Sequence, residues 1–217
     1  MRVSIAAPVY SSLMQPEDVF LQEPPGGWTA PPDWPAVFER SAPLAVEVGP
    51  GKGVFLVRIA SSHLDWNFVA IELRRERVLL GARKVVDAGL TNVRFVEGRA
   101  EERTRELFAP GSVRTWYINF PDPWPKRRHH PRRLIQPDYA LALAERTEPG
   151  GVLYLATDDS NYGDQMLRVF EAAAATWENL HGAARWSDAG GDHSRTVHEE
   201  KFLAWGRSIR YFQFRRR

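Results

Sequence analysis

One stretch near the middle of the chain combines an acid, an aromatic ring and a run of cations. The apolar, β-branched and aromatic residues 113–120 predict a buried strand. Three prolines at alternate positions over 121–125 then disfavour both helix and strand pairing, so we expect a stiff loop that carries Asp122 and Trp124. Five Lys/Arg and two His follow within residues 126–133, with no acid among them. This order predicts a pocket for a flat polar base with its phosphates on the basic side, the alternative being a solvated surface turn.

A second segment, residues 45–60, predicts a ligand-binding loop between a strand and a helix. An apolar strand runs into three glycines at alternate positions, and apolar residues at helical spacing begin directly behind them. Glycine lets the backbone turn sharply and approach a ligand beside a helix N-terminus. The next predicted strand, 67–72, ends in Glu72, which is placed to accept hydrogen bonds from both hydroxyls of a ribose. We therefore expect a nucleoside ligand. The three glycines are Gly49, Gly51 and Gly53.

Glu47, inside the strand before the glycines, discriminates between nucleoside ligands. A dinucleotide pyrophosphate gains nothing from a negative charge there, whereas a sulfonium or an amine does. Glu47 would thus complement the cationic methionine part of S-adenosylmethionine, directly or through water. The spacing G-x-G-x-G, rather than G-x-G-x-x-G, favours the same ligand. A capping or salt-bridge role for Glu47 is the structural alternative.

The composition narrows the class of protein. With 43% hydrophobic and 26% charged residues, the chain can bury one core, and we expect residues 41–217 to form it. Residues 1–40 are predicted to be an irregular extension that packs on this domain through aromatic side chains. We expect a cytoplasmic protein, because no apolar segment is long enough to cross a membrane and no leader pattern is present. The absence of cysteine and the histidine spacing argue against a metal site.

Charge is unevenly distributed along a chain of net charge +2. Residues 1–45 contain two Arg and five Asp/Glu, whereas residues 126–133 contain five Lys/Arg and residues 201–217 contain six, both without an acid. Concentrated positive charge is typical of proteins that bind polyanions. The sequence therefore predicts two basic patches.

The remaining pattern continues the alternation of helices and strands. Asp158 and Asp159 follow a predicted strand, and either one would serve as the N-cap of the next helix. Thr196 and Glu199 have the spacing of a capping box after a long loop. The predicted elements are helix 74–88, strand 93–96, helix 132–146 interrupted at Pro137, strand 152–157, helix 162–177, loop 180–195, helix 197–205 and strand 208–214.

Taken together, these segments resemble the bacterial tRNA (guanine-N7)-methyltransferases, a family of class I S-adenosylmethionine-dependent enzymes. The resemblance spans roughly residues 46–217, and F-P-D-P-W-P-K-R-R-H-H-P-R-R-L from Phe120 to Leu134 is its most specific part. It implies a Rossmann-like α/β fold with a seven-stranded, mostly parallel sheet, the last strand antiparallel and helices on both faces. It also implies methyl transfer from S-adenosyl-L-methionine to N7 of the variable-loop guanine at position 46 of tRNA, by a monomer or homodimer.

The resemblance further implies roles for individual residues. Asp122 would be the catalytic residue, and no residue would bind a metal. Arg99 stands where relatives usually present Asp or Asn near the adenine. The cofactor would contact Glu47, Gly49, Gly51, Gly53, Glu72 and Asp122. The substrate guanosine would contact Lys126, Asp158, Thr196, Val197, His198 and Glu199.

Three other functions stay open on the residues alone. A non-catalytic RNA-binding module on a degenerate nucleotide fold would retain the basic run. An NAD-dependent oxidoreductase would suit Glu72, although Glu47 disfavours it. A methyltransferase acting on mRNA or on a small molecule would share the cofactor residues.

Overall fold

A seven-stranded β-sheet is the centre of the computed structural model, which describes residues 14–189 and 196–217. The strand order is β3-β2-β1-β4-β5-β7-β6. All pairings are parallel except those of β7, which runs antiparallel to β5 and to β6. This confirms the expected mostly parallel sheet with an antiparallel last strand. The strands are β1 (Leu44–Val48), β2 (Asn67–Glu72), β3 (Val93–Glu97), β4 (Val113–Asn119), β5 (Thr147–Thr157), β6 (Trp177–Asn179) and β7 (Arg210–Arg216).

Helices cover both faces of this sheet. Val46 and Val48 of β1 pack in a cluster with α2, α5, α6 and α7, whereas Ala45 packs in a second cluster with α1, α3 and α4. Successive strand residues point to opposite faces, so both faces are buried and the central strands are continuously apolar. The helices are α1 (Pro16–Val19), α2 (Trp34–Phe38), α3 (Val54–Ser62), α4 (Arg75–Asp87), α5 (Ala100–Leu107), α6 (Pro137–Arg146), α7 (Ser160–Ala172) and α8 (Val197–Ala204), with 3-10 helices at Arg127–Arg132 and Gly182–Ala184.

The strand order places a crevice at the carboxyl ends of the central strands. The chain leaves β1 toward β2 on one side, and β4 pairs with β1 on the other side. At such a reversal the loops after neighbouring strands diverge, and ligands of α/β folds bind in the crevice between them. The residues at the carboxyl ends of β1, β2 and β4 are therefore the ones that form the site.

The bounds of several predicted elements differ from the structure. The strand expected over 152–157 begins at Thr147. The helix expected over 132–146 begins at Pro137, because proline suits a first helical turn and the preceding residues form a 3-10 helix. The helix expected over 162–177 spans Ser160–Ala172, and Trp177 instead begins the short strand β6. The last strand is Arg210–Arg216, and its apolar residues face both ways because both of its faces are buried.

The segment before β1 packs on the main core, as expected from its aromatic residues. Trp34 and Phe38 are buried, and the Trp34 indole donates a hydrogen bond to the Leu107 carbonyl at 2.9 Å. Phe20 forms a parallel bridge with Phe95 at the edge of the sheet. The domain boundary at residue 40 stays a prediction. Within the described part of the chain, no helix has the length and apolar character needed to cross a membrane.

Candidate functional site

A cavity of about 360 Å³ opens at the carboxyl ends of β1, β2 and β4. Its walls come from four loops that are distant in the sequence, and they include Gly49, Glu72, Arg99, Asp122 and Trp124. The two segments that the sequence singled out, the glycine loop and the Pro-rich loop, are therefore two walls of one cavity.

The glycine loop adopts a backbone that side chains would strain. Gly49, Gly51 and Gly53 have φ of +71°, +57° and +71°, in the left-handed region. A Cβ atom at Gly49 or Gly51 would meet nothing within 4 Å, so the space beside the loop is open. A Cβ atom at Gly53 would instead lie 3.0 Å from the Cα of Gly81. Gly53 thus lets α3 pack closely on α4, while Gly49 lines the cavity.

Glu72 connects the glycine loop to the end of β2. Its carboxylate is buried and accepts hydrogen bonds from the backbone N–H groups of Gly51 and Arg74, both at 3.0 Å. One bond goes to each oxygen, and each carboxylate oxygen has capacity for a second donor. Since Glu72 also lines the cavity, it retains the capacity to accept from ribose hydroxyls that the sequence analysis predicted.

Glu47 is a buried acid with an unsatisfied oxygen. Its side chain is 3% exposed, and its Oε2 has no hydrogen-bond partner. Burial, followed by repulsion from Glu72, raises the pKa of Glu47 to about 8, and the neighbouring Asn119 amide partly offsets that rise. The Asn119 amide nitrogen is likewise buried and without a partner of hydrogen-bonding geometry. Two orphaned polar groups beside an open glycine loop fit a ligand that brings a cation and hydrogen-bonding groups.

The Pro-rich loop holds Asp122 between two strained residues. Phe120 has φ +52° and Trp124 has φ +43°, both in the left-handed region that non-glycine residues avoid. Such backbone costs about 1–3 kcal/mol per residue and persists where the surroundings enforce it. Asp122 itself is exposed on the cavity wall. The two strained residues therefore flank a carboxylate that faces the cavity.

Arg133 is the main anchor of this loop. It is 2% exposed and donates from Nε to the Pro123 carbonyl at 2.7 Å. Its other nitrogens donate to Gln165 and Asn161 of α7 at 2.8 and 2.9 Å. We expected all five cations of residues 126–133 to form a basic patch for phosphates. That expectation is wrong for Arg133, because its guanidinium is buried and hydrogen-bonded within the protein.

We expect Arg133→Ala to destabilise the protein by about 1.5–3 kcal/mol, because it removes charged hydrogen bonds to the Pro-rich loop and to α7. The measurement is urea unfolding. Arg132→Ala is the matched control, since Arg132 is an exposed neighbour and such substitutions change stability by about 0.5 kcal/mol or less. Equal unfolding midpoints for the two variants would contradict the anchoring role.

The other cations of this run are free for a ligand. Lys126, Arg127, Arg128 and Arg132 are exposed, and none lies within ion-pairing distance of a carboxylate among residues 14–189 and 196–217. The Arg132 guanidinium lies 5.2 Å from the centre of the Trp124 ring, at the cavity wall. Unpaired cations beside a cavity are suited to phosphates.

In the second predicted basic patch, residues 201–217, three of the six cations are neutralised by ion pairs. Arg207 pairs with Asp158, Arg210 with Asp164 and Arg215 with Glu178, at 2.8, 2.6 and 2.6 Å. The last two arginines donate to backbone carbonyls. The prediction of a free cationic surface is therefore wrong for Arg207, Arg210 and Arg215, because the sequence does not show that acids before α7, in α7 and in β6 fold against them. Lys201 has no carboxylate partner in the described part of the chain.

Asp158 and Asp159 have separate roles. Asp159 caps α7 by accepting from the Tyr162 N–H at 2.7 Å. Asp158 is instead paired with Arg207, which lies three residues before β7. The capping alternative therefore applies to Asp159, and a substrate contact of Asp158 stays a prediction.

The segment 196–199 begins α8 with a capping box. Thr196 accepts from the Glu199 N–H at 3.0 Å, and Glu199 accepts from the Thr196 N–H at 3.1 Å. Glu199 also accepts from the Tyr211 hydroxyl at 2.8 Å. These contacts confirm the structural role, and contacts of Thr196 and Glu199 with a substrate stay predictions. The predicted contacts of Val197 and His198 concern side chains outside the described part of the structure.

The contact between α8 and the Pro-rich loop brings this helix to the cavity. The Phe202 ring packs edge to face on Phe120 at 5.7 Å, and Phe120 lines the cavity. Sequence reasoning missed this contact and also missed Asn119, whose position directly before the Pro-rich loop was the available signal. No cluster of three or more His, Cys, Asp or Glu suited to a metal ion occurs among the described residues.

Comparisons with known proteins agree with this geometry. The family model described as "Putative methyltransferase" matches residues 41–210. A tRNA (guanine-N(7)-)-methyltransferase of Burkholderia vietnamiensis is 39% identical over 86% of this chain and 72% of its own length. One from Arthrobacter sp. is 42% identical over 70% of this chain and 48% of its own length.

Solved structures share the fold at low sequence identity. The 16S rRNA methyltransferase KamB aligns with a TM-score of 0.60 at 13% identity, covering 87% of this chain and 95% of its own. A Streptococcus mutans structure in complex with SAH aligns with a TM-score of 0.51 at 12% identity, covering 82% and 90%. The fold is thus that of the class I methyltransferases, and the matching family model places the chain among methyltransferases. Within this class, the chain belongs to the tRNA (guanine-N7)-methyltransferase family.

Proposed function

We propose that this protein transfers a methyl group from S-adenosyl-L-methionine to N7 of guanine 46 in the variable loop of tRNA. The observation that carries the proposal is the buried Glu47, whose Oε2 has no hydrogen-bond partner and which directly precedes Val48 and Gly49 in the wall of a cavity that Asp122 also lines. The names of the relatives support tRNA and guanine N7 as acceptor. A cytoplasmic location is part of this proposal, and the choice between monomer and homodimer stays a prediction.

The residues of the cavity fit S-adenosylmethionine. Glu47 would pair with its positively charged methionine part, and the open space beside Gly49 and Gly51 would admit it. Glu72 would accept from the ribose hydroxyls. Arg99 pairs with Glu101 and Glu102 at 3.4 and 3.6 Å, so its guanidinium is directed to these acids at the helix start. When bound, the cofactor supplies a methyl group on a sulfonium.

The acceptor requires positioning rather than deprotonation. Guanine N7 carries a lone pair and no proton at neutral pH, so its electron pair forms the new N–C bond while the C–S pair returns to sulfur. Alignment of two reactants can supply about 7–11 kcal/mol at best. Asp122 would accept hydrogen bonds from N1–H and the amino group of guanine, and its charge would stabilise the positive charge that develops on the base. The rigid loop supplies that alignment.

The direct test is methyl transfer from labelled S-adenosylmethionine to tRNA, followed by nucleoside analysis. A transcript with guanine at position 46 should yield 7-methylguanosine, and the same transcript with adenine at that position should yield none. Label in mRNA or in a small molecule, without label in tRNA, would refute the proposal.

We expect the double substitution Arg127→Ala and Arg128→Ala to weaken tRNA binding and to flatten its salt dependence. Each lost phosphate contact should lower the slope of log affinity against log salt by about 0.7–0.9. The measurement is fluorescence anisotropy at several salt concentrations. Arg83→Ala with Lys84→Ala, two exposed cations on α4, is the control that should keep the wild-type slope. An unaltered slope in the first variant would refute the phosphate role.

A further inference from the structure

A row of three aromatic rings runs from the cavity to the protein surface along α8. Phe120 lines the cavity, Phe202 contacts it at 5.7 Å, and Trp205 lies 6.1 Å beyond Phe202. Trp205 directly follows α8 and is 64% exposed, whereas Trp34, Trp116 and Trp177 are buried in the core. Single exposed apolar residues are common, but this one ends a continuous row that begins at the site.

A cation lies over each of the two outer rings of this row, Phe202 and Trp205. The Arg207 guanidinium lies 5.2 Å from the centre of the Phe202 ring, and the Lys201 ammonium lies 5.8 Å from that of Trp205. Arg207 also forms an ion pair with Asp158. Lys201, in contrast, has no carboxylate partner in the described parts of the chain. The acid next to it, Glu200, is paired with Arg58 at 2.6 Å. The surface around Trp205 therefore carries positive charge that is not locally cancelled.

An exposed ring with an unpaired cation over it has the chemistry of a single-stranded nucleic acid site. Bases stack on aromatic side chains whatever their sequence, and a nearby cation contacts the phosphate of the same nucleotide. Phe202 contacts Phe120, which begins the loop that carries the exposed cations Lys126, Arg127 and Arg128. Charge complementarity thus favours RNA as the occupant.

We propose that Trp205 is a stacking platform for a nucleobase of the substrate tRNA near the guanine that is methylated, with Lys201 at the adjoining phosphate. The proposal rests on the proposed function for the identity of the RNA. It assigns a binding role to a residue that does not line the cavity and that the sequence analysis did not name.

The test compares Trp205→Ala, Trp205→Leu and Trp205→Phe for tRNA binding by fluorescence anisotropy. We expect the alanine and leucine variants to bind about tenfold or more weakly and the phenylalanine variant to bind within about threefold of wild type, because only a ring stacks. S-adenosylmethionine affinity should be unchanged in all three. Leu141→Ala, an exposed apolar residue on α6, is the control that should bind as wild type.

Fluorescence gives an independent readout in folded protein. Stacking on a base should quench the Trp205 emission, so tRNA should quench wild type more than it quenches Trp205→Phe. Equal quenching, or equal tRNA affinity of the leucine and phenylalanine variants, would overturn the proposal. So would sedimentation showing that Trp205→Ala converts a dimer into a monomer, since a second copy would then cover the ring.

Failure of this inference is distinguishable from failure of the proposed function. If wild type forms 7-methylguanosine and Trp205→Ala binds tRNA normally, only the stacking role is refuted. If wild type binds tRNA through Trp205 but methylates no guanine, the stacking role stands and the proposed reaction is refuted.

Discussion

Replacing Asp122 with alanine is expected to lower kcat for tRNA methylation by at least about 100-fold, because the variant loses both the acceptor for the guanine edge and the charge that stabilises the methylated base. The affinity of this variant for S-adenosylmethionine should stay close to that of wild type. The strained backbone at Phe120 and Trp124 indicates that the surroundings hold the loop carrying Asp122 in one conformation, which would favour alignment of this carboxylate with the guanine.

The measurement is single-turnover methyl transfer, with cofactor affinity from calorimetric titration. Asp138→Ala is a matched control, because Asp138 is an acid with a 76% exposed side chain at the start of α6. It should keep wild-type rates. Retained turnover in Asp122→Ala would remove this residue from the reaction, and loss of cofactor binding would assign it to the cofactor instead.

Glu47→Gln is expected to weaken S-adenosylmethionine binding about 30-fold or more, because the amide keeps the shape of the side chain but not the charge that pairs with the cationic ligand. The pKa of Glu47, raised to about 8 by burial and by Glu72, adds a pH dependence. Below that pH the Glu47 carboxyl of the free protein is protonated, and it must lose this proton when the cationic ligand binds. Wild-type affinity should therefore rise by up to about tenfold per pH unit between pH 6 and 7.5, whereas the variant should show no such rise.

The same raised pKa makes stability fall with pH. Between the ordinary value of 4.5 and about 8, folded Glu47 binds more proton than unfolded Glu47, so its contribution is present below pH 4.5 and is lost as pH rises through 8. Without cofactor, wild type should lose up to about 1.4 kcal/mol per pH unit relative to Glu47→Gln. Calorimetric titration and urea unfolding at several pH values test both parts. A pH-independent difference between the two proteins would contradict the ionisation of Glu47.

Much of the site could be predicted because its signals are local. The glycines, the prolines and the acids at strand ends act through their own backbone and through neighbours in the sequence. Glu47 lies near the end of a predicted strand, Glu72 ends one and Asp122 follows one, and parallel strands bring such ends to one edge. Six strands, the glycine loop and the Pro-rich loop were therefore predicted from the residues, whereas the seven-stranded sheet was implied by the resemblance.

What could not be predicted depends on contacts across the fold. Arg132 and Arg133 are adjacent and identical in type, yet one faces the cavity and the other is buried against Gln165 and Asn161 of α7. The sequence predicted unpaired arginines near the C-terminus, because their acidic partners come from other elements. The three residues of β6 carry too little pattern to indicate a strand. Long-range pairing, not local propensity, decides each of these cases.

The central claim is that the cavity between the glycine loop and the Pro-rich loop is where cofactor and guanine meet. A crystal structure of the protein with S-adenosylhomocysteine tests it most directly. We expect the methionine part beside Glu47, the ribose at Glu72 and open space in front of Asp122. A cofactor bound elsewhere, or a cavity filled by the protein's own side chains, would contradict it.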